Sequence, residues 1–178
     1  MAASISDQGF IIHSVRFGEG DKFLKVLTIN HGLVDLISKG SKKPTSRKAP
    51  HIDLLNLIKF QTARSASPRY LSQVESRQVF PNIKSNLPLT RTAFYVCELL
   101  NYLLPNSQVD YTVFNLVNQF LNSLENNADV RSTTIDFQLN LIDHLGFQRP
   151  VDESPPSLVR YFENLLDRKI RSANFKIS

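Results

Sequence analysis

The sequence predicts an α+β chain, all-β first and all-α second: a small closed barrel of five strands followed by a helical domain. Three observations carry that prediction. Short apolar segments with partial two-residue alternation fill the first 76 residues, bounded by Gly, Asn, Ser and Pro, which is the pattern of half-buried strands joined by turns. From Phe80 the apolar spacing changes to three and four residues, the period of helices. The charge changes sign at the same place. Residues 1–80 hold 12 Lys/Arg against 6 Asp/Glu, net +6, whereas residues 81–157 hold 4 against 8, net −4. The boundary therefore falls between a barrel at 1–79 and a helical domain at 80–178.

The first strand is expected at Phe10–Val15, the second at Phe23–Ile29 and the third at Leu33–Ile37, after a His31-Gly32 turn. The fourth is expected at Ile52–Phe60 and the fifth at Tyr70–Ser76. Turn residues separate them at Gly18–Asp21, Asn30–Gly32, Lys42–Pro50 and Ser65–Pro68. Phe23 is assigned to the core. Four helical stripes follow. They run through Leu89, Ala93, Val96, Leu100 and Leu103; then Val113, Leu116, Phe120, Leu121 and Leu124. The third runs through Ile135, Leu139, Ile142 and Leu145, closed by Gly146 at a C′ position. The last runs through Leu158, Phe162, Leu165 or Leu166, and Ile170, with Ser154 as its cap and Pro155 in its first turn.

At 178 residues and 42% hydrophobic content, the chain can build a real core. No apolar run approaches the roughly 18 residues of a membrane span, and the first residues lack the pattern of a signal peptide. A cytoplasmic location is the expectation. Cys97 is the sole cysteine, so an internal disulfide or a cysteine-based zinc site is excluded; its neighbours Ala93, Leu100 and Leu104 assign it to the core rather than to a reactive thiol. His13, His31, His51 and His144 are scattered without metal-ligand spacing, and no nucleophile elbow occurs. His51 and Asp53 would share a strand face, but no nucleophile accompanies them. The expectation is a protein without catalytic residues, metal or cofactor.

The sharpest local feature is Gly40–Lys48, which carries Lys42, Lys43, Arg47 and Lys48, with Lys39 just before it. Such a loop either pairs with phosphates or is simply a solvated connection. It is not an NTPase phosphate loop, because it lacks the second Gly and Pro44 removes a donor. Further cations lie at Arg16, Lys22, Lys25, Lys59, Arg64, Arg69 and Arg77, interleaved with Phe17, Phe23, Phe60 and Tyr70. Barrels that hold single strands combine a cationic groove with stacking rings. The candidate DNA-binding set is Arg16, Lys22, Lys39, Lys42, Lys43, Arg47, Lys48, Arg64, Arg69 and Tyr70, with Phe17 as a second candidate ring.

Six ordered segments resemble the bacterial recombination mediator and DNA repair family RecO. They are Gly18-Glu19-Gly20-Asp21, Thr28 to Val34, Lys39 to Arg47, Glu98-Leu99-Leu100, Phe137 to Pro150, and Lys169-Ile170-Arg171-Ser172 followed by Phe175. One departure stands out. Where most members continue into a cysteine-containing, commonly zinc-binding insert, Val151–Ser157 joins two helices directly and no cysteine follows Cys97. The chain looks like a minimal, zinc-free member.

The resemblance implies an OB-fold barrel with a helical domain behind it. It implies binding of single- and double-stranded DNA, annealing of complementary strands, and loading of recombinase onto DNA coated with single-strand-binding protein, together with the partner RecR. It also implies that the helical half takes up the acidic C-terminal tail of single-strand-binding protein, for which Arg131, Arg168 and Arg171 are the candidate cations. The alternatives left open are an RNA-binding OB protein, a nuclease with a hidden site, and a pure protein adaptor.

Overall fold

The computed structural model describes residues 4–41, 46–63 and 69–174. The chain divides into two compact units, residues 1–79 with 104–110, and residues 80–103 with 111–178.

The first unit is a closed barrel of β1 (Ser6–Phe17), β2 (Asp21–Thr28), β3 (Leu33–Ser38), β4 (Leu57–Thr62) and β5 (Arg69–Gln78), in the spatial order β1-β2-β3-β5-β4. All pairings are antiparallel except β3 with β5, which run parallel through Leu36↔Arg69 and Ile37↔Tyr70. Closure removes the free edges that an open five-stranded sheet would expose. The interior is filled by Ile11, Leu24, Val26, Val34, Leu36, Ile58, Phe60 and Leu71. Burying each such side chain contributes about 1.5–3 kcal/mol.

The fourth strand is shorter than its sequence suggests. Residues 52–56 form a turn, and the strand begins at Leu57. Leu55 adopts a left-handed φ of 72°. The turn nevertheless packs Ile52 and Leu55 into the core. It also supplies backbone partners to β1: the Ile11 N–H donates to the Asn56 carbonyl at 3.1 Å, and the Leu55 N–H donates to the Ile11 carbonyl at 2.9 Å. These bonds sit where β1 shifts register between Ile11 and His13. His51 and Asp53 therefore share no strand face; the Nδ1 of His51 lies 3.0 Å from the Ser76 hydroxyl instead.

The Asn30–Gly32 turn is locked from two sides. Asp7, buried, accepts hydrogen bonds from the Gln8 and Asn30 N–H groups and from the Asn30 amide, and its Oδ2 lies 2.6 Å from His31 Nδ1. Burial alone would raise the Asp7 pKa, but the His31, Gln8 and Asn30 hydrogen bonds together hold it below the ordinary carboxylate value. Segment 104–110 packs on the other side, through the Ser107 N–H to the Leu33 carbonyl and the Leu33↔Asn106 bridge. Gly32 has φ +66°, and a Cβ there would sit 2.1 Å from the Gln108 carbonyl oxygen.

The second unit contains α1 (Pro81–Ser85), α2 (Leu87–Leu103), α3 (Tyr111–Glu125), α4 (Val130–His144), α5 (Pro155–Leu166) and a 3-10 turn at Arg171–Asn174. The short α1 has no apolar stripe of its own. Its first N–H groups, at Asn82 and Ile83, donate to the Glu125 carboxylate at the end of α3. The α2 and α3 stripes are buried largely as the spacing requires, although Leu103 and Leu116 are only half-buried. In α4 the buried face is wider than the stripe read in the sequence: Leu139 and Ile142 are buried as read, and Leu145 is half-buried. Thr134, Phe137, Gln138 and Leu141 are buried, whereas Ile135 is half-buried. The two polar residues are satisfied: Thr134 donates to the Val130 carbonyl, and the Gln138 amide donates to the Tyr95 hydroxyl at 2.7 Å.

Gly146 follows α4 with φ 77°. Ser154 does occupy the N-cap of α5, but its hydroxyl bonds Asp152 rather than the helix. Cys97 is fully enclosed, and burial pushes its thiol up to about 12, in keeping with a core residue.

Candidate nucleic-acid interface

Strand register decides which cations and rings share a face. Leu24 and Val26 of β2, and Val34 and Leu36 of β3, point inward. Their neighbours in sequence therefore point outward. On the outer face, Val15, Phe23, Ile37 and Tyr70 stand in one row across β1, β2, β3 and β5. The next outward row is His13, Lys25 and Asp35. Arg16, Lys22 and Ser38 pair at the adjoining end of the strands, where the inward side opens toward the rim.

Phe23, assigned to the core from its alternation, is thus a half-buried residue of the outer face. Its strand alternates as expected, but the interior is taken by the other set. Val15 is 42% exposed and Phe17 is 49% exposed, so the end of β1 presents apolar surface to solvent. Tyr70 is half-buried, and the Lys39 ammonium lies 4.4 Å from its ring centroid. This cation–π pair joins two candidate residues that the sequence places far apart.

Beyond Lys39 the basic loop has two fixed feet. At the first, the Gly40 N–H donates to Asp21 Oδ1 at 2.8 Å and the buried Ser41 hydroxyl donates to the Ser38 carbonyl. At the second, the Lys48 ammonium donates to the Leu71 carbonyl at 2.6 Å, and the Lys48 carbonyl accepts from His51 and Ile52. Arg47 is exposed between them. Lys48 is therefore committed in part to holding the loop against β5. Lys42, Lys43 and Arg64 lie outside the described residues.

Electrostatics on the outer face are mixed. Lys25 approaches Asp35 Oδ1 at 3.9 Å. Burial, then the nearby Lys25 charge, lowers the His13 pKa, and Asp35 partly opposes this. His13 stays neutral at pH 7, and the face owes its positive charge to lysine and arginine. Arg16 is exposed and Lys22 half-buried; Arg69 is half-buried at the start of β5.

In the second unit the three candidate cations do not converge on one point through any described contact. Arg131 is exposed in the first turn of α4, next to the N-cap Asp129. Arg168 stacks its guanidinium 3.7 Å from the Tyr102 ring centroid. Arg171 is exposed, and its N–H donates to Glu98.

Glu98 is the residue that sequence reasoning did not single out for a role. It also accepts from the Ser172 N–H and hydroxyl, so it clamps the closing segment onto α2. Burial would raise its pKa, but the Ser172 and Arg171 hydrogen bonds and the Arg168 charge hold it below the ordinary value. The signal was present as a pair of matched segments, one at 98–100 and one at 169–172, but nothing in the spacing said that they touch.

Among the described residues, no group of three or more His, Cys, Asp or Glu could hold a metal ion, and no helix is long and apolar enough to cross a membrane.

A five-stranded closed barrel with a parallel β3–β5 closure and a basic, ring-bearing outer face, followed by helices, defines an OB-fold protein with a helical domain. The family profile for the recombination protein O N-terminal domain matches residues 1–80, and that for its C-terminal domain matches residues 86–154. The chain belongs to the recombination protein O family. It is similar to the DNA repair protein RecO of Dehalococcoides mccartyi, 28% identical over 146 residues that cover 82% of this chain and 58% of that protein. It is also similar to the DNA repair protein RecO of Symbiobacterium thermophilum, 31% identical over 144 residues, covering 79% of this chain and 56% of that protein. A Listeria monocytogenes DNA repair protein RecO is 27% identical over 146 residues, or 82% of this chain and 57% of that one. The aligned part is thus less than three fifths of each relative.

Proposed function

We propose that the chain is a non-catalytic mediator of DNA repair and recombination. It binds single- and double-stranded DNA, anneals complementary strands and helps load recombinase onto DNA coated with single-strand-binding protein. The observation that carries this reading is the outer-face row of Val15, Phe23 and Tyr70, in which Ile37 is buried, with Lys39 over the Tyr70 ring and Arg16 and Lys22 paired at the adjoining strand ends. Phosphates meet the cations, which gives sequence-independent affinity. Bases meet the rings, with Lys39 free to swing from Tyr70 to a phosphate on its flexible stem. Annealing follows from the same chemistry. A cationic surface screens the repulsion between two backbones and holds them together while bases pair. No bond is made or broken, so no nucleophile, metal or cofactor is required.

RecR and the tail of single-strand-binding protein are the proposed protein partners, the tail meeting Arg168 and Arg171, with Arg131 as a further cation. The work is that of a bacterial cytoplasmic protein acting on the chromosome. The test is annealing of complementary strands pre-coated with single-strand-binding protein. Acceleration by the chain, with weaker acceleration by Lys39→Ala plus Tyr70→Ala, supports the reading. No acceleration and no DNA binding at low salt would sink it, and tighter binding to a matched RNA strand would redirect it to RNA.

A further inference from the structure

The outer face of the barrel carries an ion pair that is under-bonded on both sides. Lys25 of β2 and Asp35 of β3 stand opposite each other, with His13 of β1 beyond Lys25. The ammonium and Asp35 Oδ1 are 3.9 Å apart, outside hydrogen-bond range. Oδ1 is buried without a hydrogen-bond partner, and Oδ2 accepts a long bond from the Asn106 amide at 3.4 Å. Among the described residues, no hydrogen bond holds the Lys25 ammonium. With the Lys25 side chain 18% exposed and that of Asp35 26% exposed, water screens this pair less than it would a fully exposed one.

The pair lies two residues along β2 and β3 from the Phe23–Ile37 pair, about 7 Å at 3.2–3.4 Å per residue, on the side away from Lys22 and Ser38. The ring row is thus flanked by cations on both sides, Arg16 and Lys22 on one and Lys25 on the other. The two sides differ in their counter-charge. Among the described residues, no carboxylate pairs with Arg16 or Lys22, whereas Asp35 holds Lys25. A phosphate approaching the Lys25 side must draw the ammonium off Asp35 and pass a part-buried charge of its own sign. It would also leave that carboxylate without its cation, which is costly away from water. His13 does not offset this, because it stays neutral at pH 7.

We propose that Asp35 is an internal counter-ion that withholds Lys25 from phosphate, so that the face offers a nucleic-acid backbone one track only, along Arg16 and Lys22. The inference rests on the nucleic-acid reading above, and it adds to that reading a residue that limits affinity. A single strand then lies with its phosphates on one side of Phe23 and Tyr70 and makes no phosphate contact on the other. Such a limit suits annealing, because the paired product must leave the face that gathered its strands.

The test measures equilibrium binding of the full chain to labelled oligo-dT over a series of salt concentrations. One phosphate contact on a single strand adds about 0.7 to the slope of log affinity against log salt, or roughly fivefold in affinity at about 0.1 M salt. Asp35→Asn should steepen the slope by that amount and tighten binding roughly three- to tenfold. Lys25→Met in the wild-type background should leave the slope unchanged, since Lys25 meets no phosphate there. In the Asp35→Asn background the same substitution should abolish the whole gain. Asp35→Ser gives the same readout if the asparagine variant lowers the thermal midpoint. A gain that survives Lys25→Met would mean that Asp35 acts through net charge alone, and would overturn the inference. So would a slope that Asp35→Asn leaves unchanged, or one that Lys25→Met flattens by itself. General DNA binding stands in each of these cases, whereas failure of the wild-type protein to bind any strand at low salt would overturn both readings.

Discussion

Replacing Asp7 by alanine removes one carboxylate that serves four donors: the Gln8 N–H at 2.7 Å, the Asn30 N–H at 3.0 Å, the Asn30 amide at 2.9 Å and His31 Nδ1 at 2.6 Å. A hydrogen bond to a charged group contributes about 1.5–3 kcal/mol. The four do not add, because Asn30 is exposed and the His31 side chain is 40% exposed, so water replaces part of what is lost. Removal of the buried carboxylate also relieves its own desolvation. The expected loss is about 2–4 kcal/mol, which lowers Tm by roughly 5–15 °C for a chain of this length.

The pH dependence has a definite sign. The folded-state pKa of Asp7 lies below its ordinary value, so its contribution is fully present above the ordinary carboxylate range and fades as pH falls through the lowered folded value. Urea unfolding of the two proteins at a series of pH values reads this directly. The stability gap should be constant from pH 7 to about 5 and shrink below about 4. A gap under about 0.5 kcal/mol, or one that widens on acidification, would refute the assignment of Asp7 as the lock of this turn.

Gly32→Ala should destabilise the barrel by more than about 2 kcal/mol, since φ +66° and a Cβ 2.1 Å from the Gln108 carbonyl oxygen cannot both be accommodated. Thermal unfolding checks this, and a change within about 0.5 kcal/mol would show that segment 104–110 yields easily. Glu98→Gln should loosen the closing segment more than the helices, because the amide accepts fewer of the Arg171 and Ser172 donors. Hydrogen exchange should rise at residues 170–174 while α2 stays protected. In the wild-type protein the same loosening should appear on acidification below the carboxylate range, since the Glu98 pKa is lowered in the fold.

The barrel and the first two long helices were legible because each buries a face made almost entirely of apolar residues at one period. Legibility failed where polar residues sit inside or apolar ones leave the regular elements. Thr134 and Gln138 widen the buried face of α4 beyond Leu139 and Ile142, and Gln138 is acceptable there only because Tyr95, on another helix, accepts its amide proton. Residues 52–55 are as apolar as a strand and are buried like one, yet they form a turn, since Leu55 takes φ 72° and bonds Ile11 across the barrel. On the candidate interface the cations themselves were readable from composition. The Lys39–Tyr70 pair was not, because it depends on the parallel β3–β5 closure that brings Ile37 beside Tyr70. No local pattern encodes a parallel pairing between strands separated by an intervening strand and two long loops.

Several matched segments act as clamps rather than as contacts. Thr28 bonds Gly32 and His31, Glu98 holds Ser172, and Asp21 holds Gly40 at the first foot of the basic loop. A clamp needs one atom in one place, whereas a cation meeting phosphate needs only to be within reach. Asp21 tests whether the clamp matters for binding, because two effects of removing it oppose each other. Loss of a negative charge beside the loop should strengthen affinity for a polyanion. Loss of the acceptor for the Gly40 N–H should free the foot and weaken affinity through the entropy of ordering the loop again on DNA. Asp21→Asn removes the charge and keeps an acceptor oxygen, whereas Asp21→Ala removes both. Single-strand affinity should therefore rise or hold for Asp21→Asn, and Asp21→Ala should bind about three- to tenfold more weakly than Asp21→Asn, equivalent to about 0.7–1.4 kcal/mol. The slope of log affinity against log salt should be the same for both, since no phosphate contact is lost. If Asp21→Ala binds as tightly as Asp21→Asn, the foot contributes nothing to binding and the loop acts by its charge alone.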